Sequence, residues 1–90
     1  MKKIYKKVFK EMFSKHIKHV RTNINHYSQE EMASCLLIEK RNYINLEHGI
    51  TCCNTISFII FLFRYCPDRE AFLLELEHAL DKSDKDINRR

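Results

Sequence analysis

Lys40, Arg41, Ile44, Asn45 and His48 fall on one side of a short helical pattern whose other side is set by Tyr43 and Leu46. These are residue types that read the edges of base pairs. Lys and Arg donate to O6 and N7 of guanine, Arg through two N–H groups at once, and an Asn amide pairs with N6 and N7 of adenine. Ile44 offers apolar contact to a thymine methyl. Asn42, with Thr51, Asn54 and Thr55 just downstream, supplies amide and hydroxyl donors suited to phosphate oxygens. Other chemistries find less support. No nucleophile has an assembled base, and one glycine, Gly49, cannot build a glycine-rich phosphate loop. An enzyme, a cofactor and a small-molecule substrate are not expected. His16 and His19 stand three apart without a matched acidic or thiol ligand, and the four cysteines form neither a C-x-x-C pair nor a zinc spacing, so no metal is expected.

Such side chains work only if a helix is presented outward and held firmly, and residues 28–49 have the pattern for it. Ser28 and Glu31 make a capping box, in which the serine caps the orphan amides and the glutamate reaches back to the cap's own N–H. Met32, Ala33 and Leu36 form the inward side of this first short helix, placed at about 29–37. Leu37-Ile38 is the turn, with Ile38 falling in to seal the corner. A second short helix, at about 40–48, turns Tyr43 and Leu46 inward and stops at Gly49, where a helix end needs a residue tolerant of positive φ. Helices this close must cross steeply, and the small Ala33 permits the approach. This is the build of a helix-turn-helix, whose second helix enters the DNA major groove.

Gln29-Glu30-Glu31-Met32-Ala33, then Leu36-x-Ile38, then Tyr43-x-x-Leu46-Glu47-x-Gly49 resemble the Cro/cI-type helix-turn-helix (XRE family, lambda-repressor-like) of bacterial and phage transcriptional regulators. The resemblance implies an all-α, five-helix domain. It also implies base reading by Lys40, Arg41 and Asn45, a phosphate contact by Gln29, and a pairing of Glu47 with a basic residue of the first helix, for which Arg21 is the candidate. Ala33, Tyr43, Leu46, Glu47 and Gly49 are then structural. Two positions depart from the family pattern: Leu37 stands where glycine is usual, and Glu39 where a Ser or Thr cap is usual. The arm between Arg21 and Gln29 is one residue longer than the common spacing.

Charge is distributed unevenly along the chain. Residues 1–27 carry eight Lys/Arg against Glu11 alone, whereas 66–90 carry seven Asp/Glu against five Lys/Arg, within a net charge of +4. A basic half beside a DNA-reading motif suits a phosphate footprint. The basic run 1–10 lacks the apolar core of a signal peptide, and the apolar run 56–63 is too short to span a bilayer. The expectation is a cytoplasmic protein with reduced thiols and no membrane association.

Spacing predicts the remaining elements. Ile4, Tyr5, Val8, Phe9, Met12, Phe13, Ile17, Val20 and Ile24 recur at steps of three and four, giving an extended first helix over about 3–23. A fourth helix is placed at about 55–65, capped by Thr51 or Asn54 and broken before Pro67. A fifth, at about 68–81, should bury Phe72, Leu73, Leu76 and Leu80. Residues 1–82 are thus one domain, and 83–90 a polar tail. The fourth helix is apolar all round, which demands cover on a second side from the first helix or from another subunit. The reading that follows is a repressor acting as a homodimer on a palindromic operator in double-stranded DNA. The alternative is an antitoxin-like protein-interaction module that uses the fourth helix and binds DNA weakly or not at all.

Overall fold

Three polar side chains start three of the helices. Ser28 Oγ accepts from Glu31 N at 3.0 Å while Ser28 N donates to Glu31 Oε1 at 2.9 Å, completing the capping box. Asn54 Oδ1 accepts from Ser57 N at 2.8 Å, so Asn54 is the cap of the fourth helix rather than Thr51. Asp68 Oδ1 accepts from Ala71 N at 3.1 Å at the start of the fifth. The computed structural model describes the backbone of residues 2–88 and the side chains of residues 4–85, all-α with five helices. They are α1 (Lys2–His19), α2 (Gln29–Cys35), α3 (Lys40–Glu47), α4 (Thr55–Ile60) and α5 (Arg69–Asn88). Two of them widen at their ends: α1 runs on into a π-helical stretch Val20–Asn25, and α4 into another at Phe61–Tyr65.

Phe13 is the hub of the core. Its ring lies 5.3 Å from Phe61, 5.7 Å from Phe58 and 6.2 Å from Phe72, so α1, α4 and α5 converge on one aromatic cluster. Ile17 and Val20 continue that side of α1 and meet Met32, Ala33, Leu36, Tyr43 and Leu46 from α2, α3 and the turn between them, all buried. Burying side chains of this size stabilises by about 1.5–3 kcal/mol each, which is what holds such short helices in place.

Several elements differ from their sequence expectations. α1 keeps helical hydrogen bonding to Asn25, ending at His26, whose φ is +56°. Ile4, Tyr5 and Ile24 lie outside the core, because the apolar spacing outruns the helices available to cover it. α2 stops at Cys35, and Leu37 lies beyond its end with φ +60°. α5 continues to Asn88 rather than ending at 81, so 83–88 is helical; residues 89–90 lie outside the described residues. No Gly or Pro interrupts that segment, and α1 gives it something to pack on: Asp84 accepts from the Tyr5 hydroxyl. Leu73 is 42% exposed rather than buried. Among the described residues, no helix is long and apolar enough to cross a membrane.

The apolar fourth helix is only half covered. Ser57, Phe61 and Leu62 are buried, whereas Ile56, Ile59 and Phe63 are 65%, 48% and 55% exposed. α1 does not cover them. Arg69 lies over the Phe63 ring at 4.7 Å.

Candidate nucleic-acid interface

The helices α2 and α3 are joined by Leu36–Glu39, and both end in the same hydrogen-bond figure. At the end of α3, Gly49 N donates to Leu46 O at 3.2 Å and Ile50 N to Asn45 O at 3.0 Å. At the end of α2, Leu37 N donates to Ser34 O at 3.1 Å and Ile38 N to Ala33 O at 3.0 Å. Both are Schellman caps, which need a left-handed residue at their centre. Gly49 takes that conformation freely at φ +71°, while Leu37 takes it with a side chain that disfavours it. Ile38 turns inward beside the core, as expected. The buried Ser57 hydroxyl donates to Leu36 O at 2.7 Å, fastening α4 to the turn.

The inner side of α3 is pinned by Glu47. Its carboxylate is salt-bridged to Arg21, with Arg21 Nε 2.5 Å from Oε2 and Nη2 3.2 Å from Oε1. It also accepts from the Tyr43 hydroxyl at 2.5 Å and from Gln29 Nε2 at 3.1 Å. Arg21 Nη1 donates in turn to Tyr27 O at 3.0 Å. One carboxylate therefore ties together the end of α1, the arm 26–28, the start of α2, and α3. Burial alone would raise the Glu47 carboxyl, but hydrogen bonds from Arg21, Tyr43 and Gln29, with the Arg21 charge, outweigh it and hold it below its usual range. Tyr43 is pushed well above the ordinary phenol value by burial and by its bond to Glu47, so its hydroxyl remains a donor.

The outer side of α3 is turned to solvent. Lys40, Arg41, Asn42 and His48 are exposed, and Ile44 and Asn45 are half-buried at its margin. Among the described residues, the side chains of Lys40, Arg41, Asn42 and Asn45 make no hydrogen bond within the fold, which leaves their donors available. Glu39 occupies the cap position of α3 without a side-chain cap bond.

The other candidates divide into two groups. Asn42, Thr51 and Asn54 line one pocket of about 200 Å³ together with Cys52 and Cys53, so three phosphate candidates share a location beside α3. Thr55 lies next to them in an open depression with Asn54, Leu37 and Ile56. Asn54 has its carbonyl oxygen committed to the α4 cap, leaving its amide N–H groups. Gln29 stands apart, with one N–H of its amide committed to Glu47 and one left over. Burial pushes the Cys53 thiol up to about 12, which keeps it protonated and poorly nucleophilic. His16 stacks on Phe72 with ring centroids 4.2 Å apart, and burial lowers its pKa. Among the described residues, no group of three or more His, Cys, Asp or Glu is placed to hold a metal ion.

Helical spacing identified the inward Tyr43 and Leu46 but carried no signal for the Tyr43 and Gln29 bonds to Glu47, which depend on three separate elements meeting. Chain comparison adds no relative: no protein-family model, curated protein or solved structure matches this chain.

Proposed function

We propose that the chain is a sequence-specific DNA-binding regulator of transcription, a cytoplasmic repressor acting as a homodimer on a palindromic operator. In this reading α2 and α3 are the helix-turn-helix of a lambda-repressor-like domain. α3 lies in the major groove, where Arg41 and Lys40 donate to guanine, Asn45 pairs with adenine and Ile44 meets a thymine methyl. Gln29, Asn42, Thr51, Asn54 and Thr55 hold phosphates on either side. The observation that carries the reading is the contrast between the two sides of α3. Its inner side is immobilised by the four-membered network at Glu47, while its outer side offers Lys40, Arg41 and Asn45 uncommitted. A helix held on its inner side has little backbone freedom left to lose when it meets a rigid groove, so fixed presentation favours specific contact.

A second reading draws on Ile56, Ile59 and Phe63, exposed at steps of three and four along α4. That stripe suits a protein partner, as in an antitoxin-like interaction module. The two readings separate on titration of duplex DNA at rising salt. A phosphate binder releases counterions and loses about 10³–10⁵ in affinity between about 50 and 200 mM salt if it makes six to ten phosphate contacts. A protein-interaction module that binds DNA weakly or not at all shows no such steep loss.

A further inference from the structure

Among the described residues, the lysines of α1 have no acidic partner within salt-bridge distance. α5 packs against α1 and carries Glu75, Asp81 and Asp84, yet Asp84 accepts from the Tyr5 hydroxyl and not from a lysine. Among the described residues the ion pair is that of Arg21 with Glu47, and none forms to Lys6, Lys7, Lys10, Lys15 or Lys18. Among the described residues, the two neighbouring helices of opposite charge thus make no close ion pair with each other.

Helical register gathers part of that charge. Phe9, Phe13 and Ile17 face the core, and Lys7, Lys10, Ser14 and Lys18 share an adjoining side at steps of three, four and four. This side touches the end of α3. The Lys10 carbonyl and the Ser14 hydroxyl lie 3.7 and 3.5 Å from where a Cβ on Gly49 would stand. Lys7 and Lys10 thus sit within about one helical turn of the point where α1 crosses the last residues of α3, and Lys18 lies on the other side of the crossing. Lys7 and Lys18 are exposed, and Lys10 is half-buried.

We propose that this stripe is a further set of phosphate contacts, with Lys7 and Lys10 gripping the phosphodiester backbone of duplex DNA that flanks the bases read by α3. The inference rests on the reading of α3 as the base-reading helix. It extends the site beyond the α2–α3 unit, to a helix that reads no base and adds charge to the interface. Contacts of this kind add affinity and salt dependence without sequence preference.

The test compares the wild type with Lys7→Gln/Lys10→Gln and with Lys82→Gln/Lys85→Gln on α5, a control that removes equal charge elsewhere. All three are titrated with a duplex carrying the selected sequence and with scrambled duplex, from about 50 to 200 mM salt, after circular dichroism shows equal helical content. Each lost phosphate contact lowers the log–log salt slope by about 0.9. The α1 variant should therefore lose two such increments, making the wild type's loss of affinity over that range larger than the variant's by about tenfold. Its base preference should be unchanged, and the control should match the wild type. A wild-type slope in the α1 variant overturns the inference while leaving the reading of α3 intact, as does an equal fall in the control. An altered base preference also overturns it. Wild-type protein that binds no duplex overturns both this inference and the function on which it rests.

Discussion

Arg21 and Glu47 stand 26 positions apart in the chain and meet as a two-point salt bridge, with side chains 13% and 2% exposed. Because Gln29 and Tyr43 donate to the same carboxylate, this pair sets how α3 leans on α1 and α2, and hence which of its residues face outward. Removing one partner of such a pair leaves an uncompensated charge in a largely desolvated place.

Glu47→Gln should cost about 3–5 kcal/mol, the range for breaking a buried ion pair from one side. The cost should depend on pH. Glu47 titrates below its usual range in the folded chain, so its contribution is fully present above about 4.3, the ordinary glutamate value, and is lost as pH falls through the depressed folded value. Urea denaturation of both proteins should show the gap between them narrowing below about pH 4. A gap that stays constant into acid would place the stabilising role elsewhere than in the Glu47 charge.

Leu37 is the converse case, a residue that costs stability where it stands. It is 73% exposed and holds φ +60° at the centre of a Schellman cap. Left-handed conformation costs a residue with a Cβ about 1–2 kcal/mol. Glycine avoids that strain but loses more chain entropy on folding, so Leu37→Gly should stabilise by a net of about 0.5–1 kcal/mol. Gly49→Ala, with ordinary van der Waals room around the new methyl, should destabilise by about 1 kcal/mol. Thermal melts of the pair check both signs, and a Leu37→Gly protein that melts lower would show that the leucine side chain makes a contact worth more than its strain.

How much of this was legible in the sequence follows from the range of the interactions. The capping box of Ser28 and Glu31, the stop at Gly49, the inward Tyr43 and Leu46 and the break before Pro67 are local, and spacing alone located them. The Arg21–Glu47 pair spans α1 to α3, so only resemblance suggested it. The left-handed Leu37 carried no residue signal, since leucine rarely adopts it. The two π-helical stretches were likewise silent, although the first lies in the arm whose length exceeds the resembled spacing by one, and a π turn is a way of storing an added residue. The length of α5 was missed because its last turns are polar and helical by virtue of α1 beside them.

The uncovered stripe of Ile56, Ile59 and Phe63 yields a prediction about assembly. Sedimentation at micromolar concentration should give about twice the chain mass of 10.9 kDa. Ile59→Asp should convert it to monomer without loss of helix, since Ile59 contributes little to the core. A wild type that sediments as a monomer would rule out the homodimer and give the stripe to a different partner.

Arg41 and Gln29 should fail differently. Arg41→Ala should cost about 1–3 kcal/mol of specific binding and relax preference at one base pair, as the loss of a bidentate guanine contact does. Gln29→Ala should weaken binding to all duplexes alike, because phosphate contacts position without specifying. Binding isotherms on the selected duplex and its single-base variants distinguish them. If Arg41→Ala weakened every duplex equally, Arg41 would be a phosphate contact.

The central claim is that α3 reads DNA, and selection of bound duplexes from a random pool meets it most directly. The proposed function predicts enrichment of an imperfect palindrome whose half-site centres lie about 10 bp apart, one turn of B-DNA, so that two copies of α3 enter successive major grooves on one face. Adding about half a helical turn between the half-sites should then abolish tight binding, and adding about a full turn should partly restore it. A pool that emerges as random as it entered would contradict the claim and leave the exposed face of α3 without a role in DNA recognition.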